Sequence, residues 1–245
     1  MSQNFRRSIL ESFNPKSLSP MLMLDADNLL ASGTANNPAN GTNVTAWNDL
    51  SGNNNNFTSA SPPTYSVNAM NGHNVVTLVG ASSQFMTCAN NASNQYSANT
   101  NVSIFMIASL NNNPTTNNQI LTKGQAGVGW GFGLQGAAAN QIEYTNFGVV
   151  QYESSNEWSG SNTFDIVTSL YISGTGTTIY KNGANPDAIA GGGSNAFNGA
   201  MLIGQFSTGV YYWTGSINFI WVKYASLTAA QIALMHGWCK SRLGI

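Results

Sequence analysis

Residues 216–224 read Ser-Ile-Asn-Phe-Ile-Trp-Val-Lys-Tyr, and this stretch decides the fold class. Side chains along a strand alternate between its two faces. Ile217, Phe219 and Trp221 then share one face, and Ile220, Val222 and Tyr224 share the other. A strand that is apolar on both faces must be covered on both. A candidate for one cover follows at once in Thr228–Leu243, the strongest helical pattern of the chain. Thr228 with Gln231 three residues on makes a capping box. Ile232, Met235, Trp238 and Cys239 form an apolar stripe at helical spacing. Lys240 and Arg242 suit the negative end of the helix dipole, and Gly244 suits the stop.

The chain before this pair reads as β structure. Short β-rich runs alternate with Asn, Gly, Ser and Pro clusters at the spacing of a sandwich. The expected strands are Leu22–Asp25, Val44–Trp47, Phe57–Ala60, Val75–Val79, Gln84–Cys88, Asn101–Leu110 and Gln119–Lys123. They continue with Gly129–Gln135, Gln141–Asn146, Val149–Ser154, Phe164–Ser173, Thr177–Lys181, Ala200–Gln205 and Ser216–Tyr224. Asn40, Asn71, Asn182 and Asn198 each precede a glycine, a pair that favours tight turns. In Phe164–Ser173 the residues Phe164, Ile166, Leu170 and Ile172 share an apolar face, which reads as a half-buried strand.

Composition narrows the function. The chain has 245 residues, of which 7% are charged; ordinary domains carry about 25%. Eight Lys and Arg nearly cancel nine Asp and Glu, and the missing charge is replaced by uncharged polar residues, 34 of them Asn. There is no basic footprint for nucleic acid. No run of eighteen apolar residues suggests a membrane helix. Met1–Pro20 lacks the apolar run of a secretory leader, so none is expected. That segment instead carries Phe5, Arg6, Arg7, Ile9, Leu10 and Phe13, spaced for two to three helical turns ended by Pro15. Residues 1–20 read either as an anchoring arm or as a helix packed on the body, residues 21–245. Cys88 and Cys239 read as free thiols, with one long-range disulfide as the alternative.

Four segments in order carry a family resemblance. They are Leu22–Asp27 followed by Val44–Asn53; Pro63–Tyr65 with Asn71-Gly72 and Val75–Leu78; Phe164–Val167 through Ile179–Gly183; and Ile203-Gly204, Tyr212–Ile217 and the closing helix. Together they resemble the concanavalin A-like lectin/glucanase superfamily, in the laminin-G-like branch found in bacteriophage virion proteins, over about residues 18–245. The resemblance implies an all-β jelly-roll sandwich of two antiparallel sheets, with the N-terminal arm and the C-terminal helix added. It does not fix a function, because the fold hosts lectins, hydrolases and structural modules.

The glucanases of that superfamily use paired carboxylates on neighbouring strand positions. Glu143 and Glu153 flank a turn near Phe147-Gly148 and would face each other if paired with the same parity. Glu157 follows in Glu-Ser-Ser-Asn-Glu, where Ser155 stands in place of the family's central Asp, so a non-enzyme is expected. His73 and His236 read as surface or helix-face residues. Gly127, Gly129, Gly131 and Gly133 alternate with Val128, Trp130, Phe132 and Leu134, which leaves one strand face bare for a ligand or for close packing. Asp25, Asp27 and Asp49 are the clustered acids that could supply Ca²⁺ ligands, with turn capping as the other reading. Tyr144, Tyr152, Trp158, Tyr211 and Tyr212 are candidate platforms for a sugar, since glycan recognition joins aromatic rings to uncharged polar groups. The expectation is a non-enzymatic virion-surface protein, of head-decoration or fibre type. Its arm would bind other virion proteins and its lectin-like body would meet glycans, and a homo-oligomer is compatible with both. A carbohydrate-binding module and a glycoside hydrolase are the alternatives.

Overall fold

The computed structural model describes residues 13–111, 118–135, 140–160, 162–206, 209 and 211–245. Two sheets of eight strands stack face to face, and every strand pairing described is antiparallel. The first sheet runs β14 (Ala184–Ala190), β13 (Gly176–Lys181), β12 (Phe164–Ile172), β7 (Val102–Leu110), β16 (Gly215–Lys223), β5 (His73–Leu78) and β4 (Thr64–Met70); β1 (Leu22–Asp25) also pairs with β16. The second runs β11 (Val150–Glu157), β10 (Gln141–Asn146), β9 (Val128–Gln135), β8 (Asn118–Gln125), β15 (Met201–Ile203), β6 (Phe85–Cys88), β3 (Phe57–Ser61) and β2 (Ala46–Trp47). This is the all-β sandwich with a closing helix that the sequence led us to expect. Among the described residues no helix is long and apolar enough to cross a membrane.

There are two apolar layers. Between the sheets, Leu24, Ile104, Met106, Ile220 and Val222 meet Trp130, Phe132, Leu134 and Tyr144. Outside the first sheet, Phe105, Ile107, Ile166, Phe219 and Trp221 meet Met235 and Cys239 of the C-terminal helix, α1 (Ala229–Leu243). The double-faced strand is therefore covered on both sides, with one correction. The register of β16 slips between Ile217 and Phe219, which places Ile217 in the inter-sheet core beside Ile220 and Val222. One inserted residue reverses the facing of everything before it. Strand β12 is also buried on both sides: Val167 and Tyr171 point between the sheets and Ile166 points to the helix layer.

Strands β4 and β14 were not expected. Both are edge strands, where Pro186 of β14 costs no ladder bond, and a register irregularity in β4 accompanies the left-handed Asn68. The helix carries its capping box, with Thr228 Oγ1 accepting from the Gln231 amide and Gln231 Oε1 accepting from the Thr228 amide. Gly244 ends it in the left-handed conformation. At the other end of the chain Phe5, Arg6, Arg7 and Ile9 lie outside the described residues. Phe13 and Leu18 pack on the helix-side layer. Pro15–Leu18 forms a 3-10 turn whose Pro15 carbonyl accepts from Trp221 Nε1 at 3.1 Å. Residues 13–20 thus lie against the body. Cys88 and Cys239 are free thiols, buried in different layers.

Candidate functional site

The outer face of the second sheet is the counterpart of the helix-covered one, and its chemistry is different. On β9 the side chains of Trp130, Phe132 and Leu134 enter the core, so Gly129, Gly131 and Gly133 take the outer side. Register extends this outer face across three neighbours. Gly133 stands opposite Gln119 on β8 and Glu143 on β10, and Gly131 stands opposite Thr122 and Thr145. Glu143 in turn stands opposite Glu153 on β11, and Thr145 opposite Gln151. The same-parity pairing of the two glutamates is as the sequence suggested.

The glycines leave room for the groups above them. A Cβ on Gly131 would come within 2.7 Å of the Phe147 ring and 2.8 Å of Gln119 Oε1, and one on Gly133 would meet the Asn118 carbonyl at 2.3 Å. A cavity of about 160 Å³ opens here, lined by Gln119, Glu143, Phe147, Gln151, Phe206 and Tyr211. Its aromatic wall is continuous: the rings of Phe147 and Phe206 lie 4.8 Å apart, and those of Phe206 and Tyr211 6.4 Å apart.

Glu143 is fully buried. Its Oε1 accepts from Gln119 Nε2 at 3.1 Å and from Thr145 Oγ1. Its Oε2 has no partner, and neither do Gln119 Oε1 and Thr122 Oγ1. Burial pushes the Glu143 carboxyl above the usual carboxylate range; the bonds from Thr145 and Gln119 oppose this, and the charge of Glu153 adds to it. A buried polar atom without a partner costs about 1–3 kcal/mol, so such atoms are uncommon and call for an explanation, with a bound ligand or water among the candidates. Here three occur on one patch, and two of their side chains line a cavity.

Only part of the expected site falls here. Tyr211 is 45% exposed, holds a left-handed backbone and lines the cavity. Tyr144 and Tyr152 are corrected to core residues. They are neighbours in sequence of Glu143 and Glu153, so strand alternation sends them to the opposite face, where Tyr144 stacks on Trp130 and Tyr171. Trp158 is also buried, donating from Nε1 to the Gly133 carbonyl and meeting Trp213 edge-on. None of these three presents a ring to a ligand. Tyr212 is held by Gln205 Nε2 at 3.0 Å and does not line the cavity. Glu157 is exposed and lies outside the cavity, its backbone carbonyl accepting from Lys181 Nζ.

The calcium reading is corrected as well. Asp25 and Asp27 are taken up by Arg242, whose Nη1 and Nη2 reach Asp25 at 2.8 and 2.5 Å and whose Nη2 reaches Asp27 at 2.6 Å. Asp27 also meets His73 Nδ1 and the Asn74 amide. Asp49 serves as a turn cap, accepting from the amides of Met23, Ser51 and Asn55. Carboxylates filled with N–H donors do not make the six to eight free oxygens that Ca²⁺ needs. Among the described residues no group of three His, Cys, Asp or Glu side chains is placed to hold a metal ion.

No protein-family model and no curated protein sequence matches the chain. Solved structures do match in fold. The binding domain of paraclostridial mosquitocidal protein 1 superposes with a TM-score of 0.65 at 14% identity, over 91% of this chain and 52% of that one. Domain 4 of an extracellular arabinanase from Geobacillus stearothermophilus, in complex with arabinotriose, gives 0.56 at 11% identity, over 80% of this chain and 99% of that one. The ligand-binding domain of botulinum neurotoxin serotype D, in complex with N-acetylneuraminic acid, gives 0.56 at 13% identity, over 91% and 52%. The chain shares the β-sandwich fold of these domains. It spans about half the length of the toxin domains and all but a trace of the arabinanase domain.

Within this sandwich the cavity residues Gln119, Phe147, Gln151 and Phe206 were not singled out as ligands by sequence. The one signal that led to them is the glycine alternation of β9, which marked the bare face without saying what stands over it.

Proposed function

We propose that this β-sandwich is a non-catalytic glycan-binding domain and that its site is the cavity on the outer face of β8–β11. The observation that carries the reading is the pair of buried, partnerless oxygens, Gln119 Oε1 and Glu143 Oε2, beneath an aromatic wall. Sugar hydroxyls supply the missing donors, and ring faces cover the apolar side of a sugar. The ligands named for two fold relatives, arabinotriose and N-acetylneuraminic acid, support a saccharide over other polar ligands. The test is retention of the full chain on a glycan array. Wild type should be retained on defined glycans and Gly131→Leu, whose side chain would collide with the lining groups Phe147 and Gln119, should not; equal retention of both would remove the site.

One observation favours a second reading, glycoside hydrolysis. Glu143 and Glu153 oppose each other across adjacent strands, and Glu143 has a raised pKa. Directly opposed side chains start about 4.5–5.5 Å apart at Cβ, near the ~5–5.5 Å carboxyl spacing of retaining enzymes. Reducing-sugar release lost in both Glu143→Gln and Glu153→Gln would establish it. The placement on a virion surface, with the N-terminal stretch as anchor, rests on the family resemblance and the basic pair Arg6 and Arg7. Deleting residues 1–12 should abolish particle association, and retained association would end that placement.

A further inference from the structure

We infer that the cavity takes one neutral monosaccharide unit of a glycan and turns away anionic sugars such as sialic and uronic acids. This rests on the glycan-binding reading and names the ligand class of the same site. The floor of the cavity asks for donors. Gln119 Oε1 and Glu143 Oε2 are acceptors with nothing to accept from, and hydroxyl groups of a sugar are donors. Among the described residues the lining offers no positive charge: Gln119, Glu143, Phe147, Gln151, Phe206 and Tyr211 include no Lys, Arg or His. The nearest lysine in sequence, Lys123 of β8, points to the other side of the sheet. Its ammonium is used there on Asn90 Oδ1, Asn94 Oδ1 and the Gly199 carbonyl at 2.7, 2.9 and 2.6 Å.

A sugar carboxylate entering this cavity would lose its water beside Glu143, with no cationic side chain among the described lining residues. A buried anion that is neither paired nor fully hydrogen-bonded is strongly disfavoured. The site therefore discriminates by what it lacks, which is a common basis of specificity. Size sets the second limit. The cavity, about 160 Å³, is small beside the roughly 300–1,000 Å³ of pockets that take drug-sized ligands. It suits one sugar unit, the rest of the glycan lying outside against Phe206 and Tyr211.

The experiment uses the full chain and matched probes: lactose against 3′-sialyllactose, and arabinotriose and galactan against polygalacturonate. Wild type, Gly131→Leu and Tyr211→Gly are compared, the last because an exposed ring removed at a left-handed position leaves the fold in place. The inference expects binding to a neutral probe and its loss in both variants. The acidic partner should bind more weakly by about tenfold or more, the factor that one uncompensated polar group imposes. Preference for the acidic partner, lost in the same variants, would overturn the inference and leave the glycan-binding reading standing. Neutral binding unchanged in Tyr211→Gly would place the site elsewhere and overturn the inference. Retention on no probe would count against the glycan-binding reading itself.

Discussion

The two outer faces of the sandwich differ in what covers them. The first sheet presents Phe105, Ile107, Phe219 and Trp221, and a helix seals them. Most polar groups nearby find partners: Trp221 Nε1 meets the Pro15 carbonyl, His236 Nε2 meets Thr168 Oγ1 at 3.2 Å, and Arg242 meets Asp25 and Asp27 through Nη1 and Nη2, although its Nε has none. The second sheet presents glycines, Gln119, Thr122 and Glu143, and three of their oxygens are buried without partners. The sealed face stabilises the fold. The other carries a local cost that a ligand can relieve, the pattern expected of a functional site.

That contrast can be broken by mutation. The largest effect is expected on the sealed face. Trp221→Ala should cost about 3–5 kcal/mol, lowering Tm by roughly 6–20 °C at ~2–4 °C per kcal/mol for a chain of this size. Glycan binding by the folded fraction should be unchanged. Urea unfolding and binding below the transition measure both, and lost binding in a folded Trp221→Ala protein would mean that the two faces are not independent. Arg242→Met comes next, at about 3 kcal/mol, because it strands two carboxylates near the buried helix end. Adding Asp25→Asn and Asp27→Asn should recover much of the loss, and urea midpoints of the single and triple mutants would show whether it does.

On the open face the order reverses, with large effects on binding and small ones on stability. Gly131→Leu should abolish glycan retention while costing about 1–3 kcal/mol by overpacking. Calorimetry and denaturation on the same samples separate the two.

The smallest effects are in pH dependence, and they have opposite signs on the two faces. Burial, helped by Lys240, pulls His236 down to about 4 from its ordinary 6.5. The folded protein then binds fewer protons than the unfolded chain between these values. Stability from this group is present above about 6.5 and lost as pH falls toward 4. Burial raises Glu143, so the folded protein holds its proton longer. Stability from this group falls as pH rises from about 4.3 through the folded-state value. His236→Gln should remove a rise of stability with pH and Glu143→Gln a fall. Urea midpoints across pH 4–8 would show both, and slopes changed in the same direction by the two variants would contradict the assignment.

The layers of the fold were legible because they follow from local pattern. The two apolar faces of residues 216–224, the stripe from Ile232 to Cys239 and the Thr228–Gln231 box are each contained in a short stretch. What sequence could not supply depends on bulges and on distant partners. The slip in β16 moved Ile217 to the other layer, and no residue type announces it. The site suffered from parity in a different way. Tyr144 and Tyr152 looked like ligands beside Glu143 and Glu153, and adjacency in a strand is the reason they point away. Gln119 reaches Glu143 across 24 residues and Arg242 reaches Asp25 across 217, so neither contact leaves a motif. The glycine alternation was visible, while the rings of Phe147 and Phe206 above it come from two separate turns.

The central claim is that the glycine-striped face of the second sheet holds a neutral sugar. The most direct measurement is an NMR titration of the ¹⁵N-labelled full chain with the neutral probe that binds best. Saturable shifts are expected at the side-chain amides of Gln119 and Gln151 and at the backbone amides of Gly131, Gly133 and Tyr211, with none under the C-terminal helix. Saturable shifts that leave Gln119 and the glycines of β9 unmoved would contradict it.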